Sequence, residues 1–183
     1  MRSPARSRLV ILTGSAIAAE VSAGRIVIEP FSSDLVNPNS YNYRLGRELR
    51  VSRTRDLDAA TEADWLDLEI PDDGRVFSPG VVHLGVTEEV IGSEAFVPVL
   101  IGRSSIGRLG VFLQVSADLG QLGAIHRWTL EIVVCQPVRL YSGMRIGQVS
   151  FWRPSEGPFE SYGGYYGQFM SPTSSHPQGL RND

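Results

Sequence analysis

Lysine is absent from this 183-residue chain, in which all 17 basic residues are arginines. This excludes chemistry that needs a lysine Schiff base or a lysine phosphate clamp. Any phosphate group must therefore be bound by guanidinium groups, hydroxyls and backbone amides. The net charge is −3, whereas nucleic-acid-binding proteins usually carry an excess of basic residues. We therefore expect no nucleic-acid partner.

Cysteine and histidine are scarce, with one cysteine and three scattered histidines in the chain. Cys135 has no partner for an internal disulfide, which is typical of a protein from a reducing compartment. The chain has no Cys-x-x-Cys pair and therefore lacks the signature of the zinc-dependent base deaminases. We predict no protein-bound metal site, and chemistry that depends on protein-bound zinc is excluded.

Long apolar runs are also missing. The arginine-containing N-terminus is followed by only four consecutive apolar residues, 9–12, which are too few for the core of a signal peptide. No stretch approaches the roughly 18 apolar residues of a membrane span. We therefore expect a cytoplasmic protein with no membrane partner.

The residues that are present predict many short strands and one brief helix. A capped helix is predicted over 13–24 by Thr13 or Ser15 at its start and Gly24 at its end. Alternating apolar patterns bounded by turn residues predict strands at 25–30, 41–45, 81–90, 96–101, 111–116, 128–135 and 144–152. This pattern predicts an all-β fold of the barrel or jelly-roll kind, in one domain spanning 1–183.

Three segments do not fit this pattern. Residues 1–8 are interpreted as a loose arm. The acidic stretch 52–74 can be a metal site, but we interpret it as a solvated connection anchored by Trp65. Residues 154–183 are rich in Gly, Pro, Ser and Tyr, and two interpretations stay open: a disordered end, or a mobile lid whose aromatic rings close over a ligand.

The residues best suited to binding or catalysis lie between 101 and 131. Arg103, Ser104, Ser105 and Arg108 place hydroxyls between guanidinium groups, a combination that suits anionic phosphate oxygens. Glu131 lies in an otherwise apolar strand, and the two-residue repeat of a strand places it on the face opposite its neighbours. A carboxylate there is costly unless it is paired or used.

Glu131 is suited to activating water for a hydrolytic reaction. Water is a poor nucleophile, and without zinc a general base must remove its proton. In this hypothesis Ser104 holds the water, and Arg108 stabilises developing negative charge or orients Glu131. Arg103 and Ser105 contact phosphate oxygens. The alternatives are a structural Glu131–arginine pair and surface ion pairs of Arg103 and Arg108.

The segment Gly-Arg-Ser-Ser-x-x-Arg-Leu-Gly at 102–110 precedes Thr-Leu-Glu at 129–131, and Glu131 follows Ser104 by 27 positions. This arrangement resembles the deoxycytidine triphosphate deaminase family of the trimeric dUTPase-like superfamily. The resemblance implies a dUTPase-like distorted barrel and a homotrimer with active sites between subunits. It also implies magnesium carried by the nucleotide triphosphate, and conversion of a cytosine nucleotide, by default dCTP to dUTP and ammonia.

The resemblance assigns roles to particular residues. Ser104, Arg108 and Glu131 fall on the catalytic positions of the family, and Arg103 and Ser105 fall on triphosphate-binding positions. The other implied substrate-binding residues are Val115, Ser116, Ala117, Gln121, Thr129, Tyr162, Tyr165 and Gln168. Residues 140–148 and 163–168 also resemble a family strand and the family tail motif.

The sequence departs from the family at several positions. Gln121 begins a loop, 121–124, in which the family usually has an aspartate and an aromatic residue beside the sugar. His126 and Trp128 are larger than the usual residues, Gly164 replaces a tail lysine, and Asn42 replaces an aspartate. These departures predict altered substrate recognition.

Two other functions therefore stay open. One is a dUTPase-type pyrophosphatase, alone or combined with deamination. Its superfamily chemistry uses an aspartate where Gln121 stands, and an amide cannot act as a base. The other is a catalytically silent nucleotide-binding or regulatory protein.

Overall fold

Strands predominate in the computed structural model, which describes residues 11–113, 117–155 and 160–175. The helices are α1 (Gly14–Ser22) and α2 (Ser104–Gly107), with 3-10 turns at Ser33–Leu35 and Tyr165–Gln168. The strands are β1 (Val27–Glu29), β2 (Tyr41–Arg44), β3 (Glu48–Ser52), β4 (Trp65–Glu69), β5 (Arg75–Phe77), β6 (His83–Gly92), β7 (Val97–Gly102), β8 (Val111–Phe112), β9 (His126–Val134), β10 (Val138–Leu140) and β11 (Arg145–Trp152). The all-β prediction is confirmed.

The strands of the described residues pair in three antiparallel sheets. The largest has the order β4-β3-β6-β9-β8, and β1 pairs with the end of β6. A second sheet has the order β2-β11-β7, and β5 pairs with β10. A bridge from Leu45 to Thr87 links the first two sheets. Fully buried side chains from both sheets, including Tyr43, Leu130 and Phe151, share one apolar core.

Helix α1 begins and ends where the sequence predicts. The Thr13 hydroxyl accepts a hydrogen bond from the Ala16 amide at 3.3 Å and satisfies one of the free donors of the first turn. Gly24, just beyond the helix, has a φ of +71°, a conformation that glycine adopts at little cost. Among the described helices, none has the length and apolar character needed to cross a membrane.

The pairing of β6 with β9 is irregular at one point, and side chains there contact both β2 and β9. Its register with β9 shifts between Val86 and Val90. At the shift, the Thr87 hydroxyl donates to the Glu89 carbonyl at 2.7 Å and accepts from the Trp128 amide at 2.9 Å. The Glu89 carboxylate is fully buried and accepts from the Arg44 amide and Nε at 2.9 and 2.7 Å. The shift thus fixes β2 and β9 relative to β6.

Strand β4 lies inside the stretch that the sequence predicts to be a solvated connection. It pairs with β3 over five residues, and Leu68 lies opposite Leu49. Asp67 and Glu69 are on its exposed side, and Asp67 accepts from Arg50 Nε at 2.6 Å. An edge strand with an acidic outer face has the composition of a loop. The sequence pattern therefore did not predict β4.

Strand boundaries also differ at the predicted 111–116 strand. Strand β8 ends at Phe112, and Leu113 is buried but outside the strand. Residues 114–116, and with them the predicted sugar- and base-binding residues Val115 and Ser116, lie outside the described residues.

Candidate active site

Glu131 lies on the face of β9 that turns away from the core. Its neighbours Leu130 and Ile132 are fully buried, while Glu131 itself is half-buried, as the two-residue repeat predicts. Across the ladder it pairs with Leu84 of β6. Burial raises the pKa of the Glu131 carboxyl above its ordinary value of 4.5. A carboxyl with a raised pKa is a more effective proton acceptor near neutral pH than an exposed one.

Thr129 and Arg127 share this face of β9 with Glu131. The Thr129 hydroxyl accepts a hydrogen bond at 3.0 Å from the amide of Thr173, in the C-terminal segment. Arg127 donates to the Met170 carbonyl at 3.2 Å and forms an ion pair with Glu48. The C-terminal segment therefore crosses β9 close to Glu131.

The arginine- and serine-containing segment begins where β7 ends at Gly102. Arg103 donates to the Arg145 carbonyl at 3.2 Å, and the short helix α2 follows. Ile106 anchors this helix in the core, whereas Ser104, Ser105 and Arg108 are exposed. Two hydroxyls and a guanidinium group therefore face outward in a form that can contact an anionic ligand.

Tyr43 supports this segment from beneath. Its fully buried hydroxyl donates to the Ile101 carbonyl at 3.2 Å, two residues before Arg103. Gly147 of β11 packs against the Tyr43 ring, where an added Cβ would lie 2.1 Å from ring atoms. The glycine of the family-like strand 140–148 is therefore required by packing against tyrosine.

Within the chain, Glu131 and the α2 residues lie toward different ends of the β8–β9 ladder. The Cys135 amide donates to the Gly110 carbonyl at 2.8 Å, and Val111 pairs with Val134. Glu131 lies four residues back along β9, about 13 Å of extended chain. Arg108 lies on the other side of Gly110, further from Glu131.

The sugar-loop candidates lie beside the C-terminal segment. Gln121 is exposed and begins a turn in which its carbonyl accepts from the Ala124 amide at 3.2 Å. The Tyr162 amide donates to the Leu122 carbonyl of this loop at 2.8 Å. Ala117 is exposed just before Asp118, whose carbonyl accepts from the Leu100 amide at 2.8 Å.

Tyr165 and Gln168 lie in the 3-10 turn of the C-terminal segment. The Tyr165 ring makes edge contacts with Tyr166 and Phe169, with ring centroids 5.2 and 4.8 Å apart. The backbone of Gln168 ends the turn, and its side chain lies outside the described part of the structure. The lid interpretation of this segment stays a prediction.

A metal cluster is not present in the described residues, where no three His, Cys, Asp or Glu side chains are grouped to hold an ion. The acidic stretch 52–74 instead contributes β4, whose Asp67 pairs with Arg50.

The family model described as dCTP deaminase-like matches residues 11–154. The chain belongs to this family. Among curated relatives, the "dCTP deaminase, dUMP-forming" of Hathewaya histolytica is 40% identical over 174 residues, 95% of this chain and 99% of the relative. The protein of the same name from Cytophaga hutchinsonii is 42% identical over 153 residues, 84% of this chain and 87% of the relative. The family resemblance inferred from the motifs is confirmed.

A solved structure supports the fold of this dCTP deaminase-like chain. The crystal structure of 2'-deoxycytidine 5'-triphosphate deaminase from Agrobacterium tumefaciens superposes with a TM-score of 0.63 at 22% identity. The match covers 80% of this chain and 49% of that chain, so our protein spans about half its length. At this identity the likeness concerns the fold alone.

Three residues that depart from the family pattern point into the core or toward neighbouring turns. His126 and Trp128 stack with ring centroids 4.3 Å apart, and Trp128 Nε1 donates to the Ile91 carbonyl at 2.8 Å. Both lie on the core side of β9, opposite Glu131. Asn42 donates to the Leu35 carbonyl and to Asn37, so it stabilises the turn before β2.

Sequence reasoning missed Arg127 and Glu89. Arg127 carries one local signal, because it lies four residues before Glu131 and therefore on the same strand face. Glu89 carries none, since its partner Arg44 is distant in the chain and its burial arises only when β2 packs on β6.

Proposed function

We propose that this protein is a zinc-independent deaminase of dCTP in which Glu131 activates water. The observation that carries the proposal is the half-buried Glu131, with its raised pKa, on the outward face of β9. The names of the curated relatives support the same substrate. They also correct the expected product: the sequence-based default was dUTP, whereas the relatives are dUMP-forming. We therefore propose dUMP as the final product.

The deamination step follows from the chemistry of a carboxylate base. Glu131 removes a proton as the water oxygen bonds to C4 of the cytosine ring. Glu131 passes this proton to ring N3, which leaves a C4 that carries both a hydroxyl and the amino group. The hydroxyl proton then passes to the amino group as the C4–N bond breaks, so that ammonia leaves and a C4 carbonyl beside a protonated N3 remains. In this scheme Ser104 holds the water, and Arg108 stabilises the negative charge that develops during attack.

The triphosphate is assigned to Arg103 and Ser105. Both donate hydrogen bonds, which suits phosphate oxygens, and neither offers the carboxylate oxygens by which proteins usually hold a divalent cation. Magnesium, when bound, would therefore neutralise charge through the phosphate oxygens of the nucleotide rather than through this segment. Val115, Ser116, Ala117 and Gln121 are proposed to contact the sugar and base, and Tyr162, Tyr165 and Gln168 to cover the nucleotide.

The active site is proposed to form between subunits of a homotrimer. The separation of Glu131 from Ser104 and Arg108 along the β8–β9 ladder supports this arrangement, because the proposed step needs all three at one substrate. Exposed apolar side chains on and beside these strands, Leu109, Phe112 and Val133, suit a subunit contact.

Formation of dUMP also requires hydrolysis of dUTP to dUMP and pyrophosphate. A second water must attack phosphorus in this step. Gln121 occupies the position where the superfamily uses an aspartate to orient that water, and an amide cannot accept its proton. We therefore propose that the second step is slower than deamination here.

The test is incubation of the purified protein with a nucleotide panel, analysed by chromatography and mass spectrometry. The panel contains dCTP, dCMP, CTP, cytidine, 5-substituted cytosine nucleotides and dUTP. The proposal predicts that dCTP is consumed fastest and yields dUMP, pyrophosphate and ammonia. Binding of dCTP without turnover of any panel member would instead indicate a catalytically silent nucleotide-binding protein.

A further inference from the structure

Residues 169–173 form a short piece of the C-terminal segment, here termed the strap, that crosses the start of β9. Met170 and Thr173 are held through their backbone groups by Arg127 and Thr129, at 3.2 and 3.0 Å. Pro172 between them is buried. The strap is therefore tied at two points to the strand face that carries Glu131.

Arg127 is fixed on several sides before it reaches the strap. Its guanidinium group forms a two-pronged ion pair with Glu48, with both N–O distances at 2.9 Å. Its Nε donates to the Thr87 carbonyl at 2.8 Å, and the side chain is only 17% exposed. A bidentate arginine–carboxylate pair has a defined plane. The direction of the second Nη1 N–H, which donates to the Met170 carbonyl, is therefore also defined.

The second tie determines how the Thr129 hydroxyl can be used. A threonine hydroxyl donates one hydrogen bond and accepts others. Because its oxygen accepts from the Thr173 amide, its own proton points away from the strap. Thr129 lies two residues from Glu131 on the same face, about 7 Å along the strand. The hydroxyl can thus donate this proton to an acceptor atom of a ligand bound beside Glu131.

We infer that Arg127, supported by Glu48, is a positioning residue that docks the strap on β9 and so orients Thr129 as a donor to the bound nucleotide. The inference rests on the proposed function for the identity of that ligand, a cytosine nucleotide whose ring carries acceptor atoms. Arg127 itself does not touch the reacting atoms. Its contribution is therefore to substrate binding rather than to the chemical step.

The test compares Arg127→Gln with Arg47→Gln as the matched control. Arg47 forms an exposed ion pair with Asp72 and does not contact the strap in the described residues. We expect Arg127→Gln to raise the KM for dCTP about tenfold with kcat nearly unchanged, because a charge-assisted hydrogen bond that anchors the binding surface is lost. Arg47→Gln should leave both constants unchanged.

A second variant removes the other tie and leaves the Arg127–Glu48 pair in place. Thr173→Pro lacks the amide that donates to Thr129, so it should also raise KM about tenfold. Because both substitutions release the same strap, the double variant should be no worse than either single one. Additive effects, giving about a hundredfold higher KM, would contradict a shared strap.

Hydrogen exchange of the Thr173 amide reports docking independently of activity. It should be faster in Arg127→Gln than in the wild type and the Arg47→Gln control. Unchanged exchange together with an unchanged KM would overturn the inference while leaving the deaminase proposal intact. If the wild type turns over no cytosine nucleotide, the proposed function fails, and the exchange of the Thr173 amide alone tests strap docking. Faster exchange in Arg127→Gln would then support docking, and unchanged exchange would overturn it.

Discussion

Glu131 lies on the outward face of β9 and is still half-buried. The strand places its side chain outside the core, and the surrounding residues still withdraw enough water to raise its pKa. Burial opposes the ionisation of the Glu131 carboxyl. This is the environment expected of a group that exchanges protons during a reaction.

The pH dependence of turnover should report this environment. Glu131 must be ionised to act as a base, so activity should fall as the pH drops below its pKa in the folded protein. Since burial raises that pKa, the acid limb of kcat/KM for dCTP should have an apparent pKa above 4.5. A limb at or below this ordinary value would show that Glu131 is not the titrating base.

The same shift predicts the stability of Glu131→Gln. A raised pKa means that the folded state binds this proton more tightly than the unfolded chain. The stabilisation is present below the unfolded pKa and is lost as the pH rises through the folded pKa. At neutral pH the glutamine variant should therefore have a Tm equal to or higher than that of the wild type. A lower Tm would mean that loss of activity reflects unfolding.

Gln121 offers a test of the second hydrolytic step. Gln121→Asp introduces a carboxylate at the position where the superfamily uses one to orient water. With dCTP as substrate, the variant should release less dUTP and form dUMP faster, while the rate of ammonia release is unchanged. Chromatography of both nucleotides over time measures this. An unchanged dUTP-to-dUMP ratio would show that another group activates the second water.

The residues that the sequence predicts and those it misses differ in how local their signal is. The face occupied by Glu131 follows from alternation with its neighbours Leu130 and Ile132. The outward position of Ser104 depends on the short helix α2, anchored by Ile106, which the sequence pattern did not predict. Glu89 and Arg127 act through partners that are distant in sequence, so only the folded sheets bring out their roles.

At the scale of elements, the register shift in β6 holds the site-bearing strand in place. Thr87 and Glu89 turn an irregular piece of strand into a junction with β2 and β9. Bulges that fix neighbouring strands in this way are common beside active sites. The position of β9, and hence of Glu131, therefore depends on a buried carboxylate that takes no part in the proposed chemistry.

Removal of the Glu89 carboxylate should lower the free energy of unfolding. Glu89→Ala leaves the Arg44 amide and guanidinium without their acceptor, and we expect a loss of about 3 kcal/mol in the free energy of unfolding. Urea denaturation measures the change. Asp72→Ala, which breaks the exposed pair with Arg47, is the control and should cost less than about 1 kcal/mol. Equal losses in the two variants would contradict a structural role for the junction.

The sequence predicts helix α1 correctly but misses strand β4, and the difference has a physical reason. Helix α1 has a capping threonine and a terminating glycine, which are local signals. Strand β4 is an edge strand whose outer residues are acidic, so its composition matches that of a loop. Only pairing with β3 distinguishes it from a solvated connection.

At the scale of the whole molecule, the proposed catalytic groups lie on opposite sides of one contact between neighbouring chain segments. Glu131 and Arg108 diverge from the Gly110–Cys135 contact in opposite directions along the β8–β9 ladder. A trimer with shared sites would join Glu131 of one subunit to Ser104 and Arg108 of another. Symmetric assembly would then produce three equivalent sites.

Mixed assemblies test this arrangement. Glu131→Gln and Arg108→Ala should each be inactive as pure proteins. After the two are unfolded together and refolded, random mixing should restore roughly a quarter of the wild-type activity, because that fraction of shared sites receives both native residues. Separately refolded proteins that are mixed afterwards are the control. No recovery in correctly assembled mixtures would place the whole site within one chain.

The most direct test of the central claim is turnover of dCTP in ¹⁸O-labelled water, for the wild type and Glu131→Gln. The wild type should place one labelled oxygen on C4 of the uracil base, and a second should appear in the phosphate products as dUMP forms. Glu131→Gln should bind dCTP but incorporate label into the base at least about a hundredfold more slowly, since it lacks the general base. Labelling of the base at the wild-type rate in this variant would contradict the assignment of Glu131.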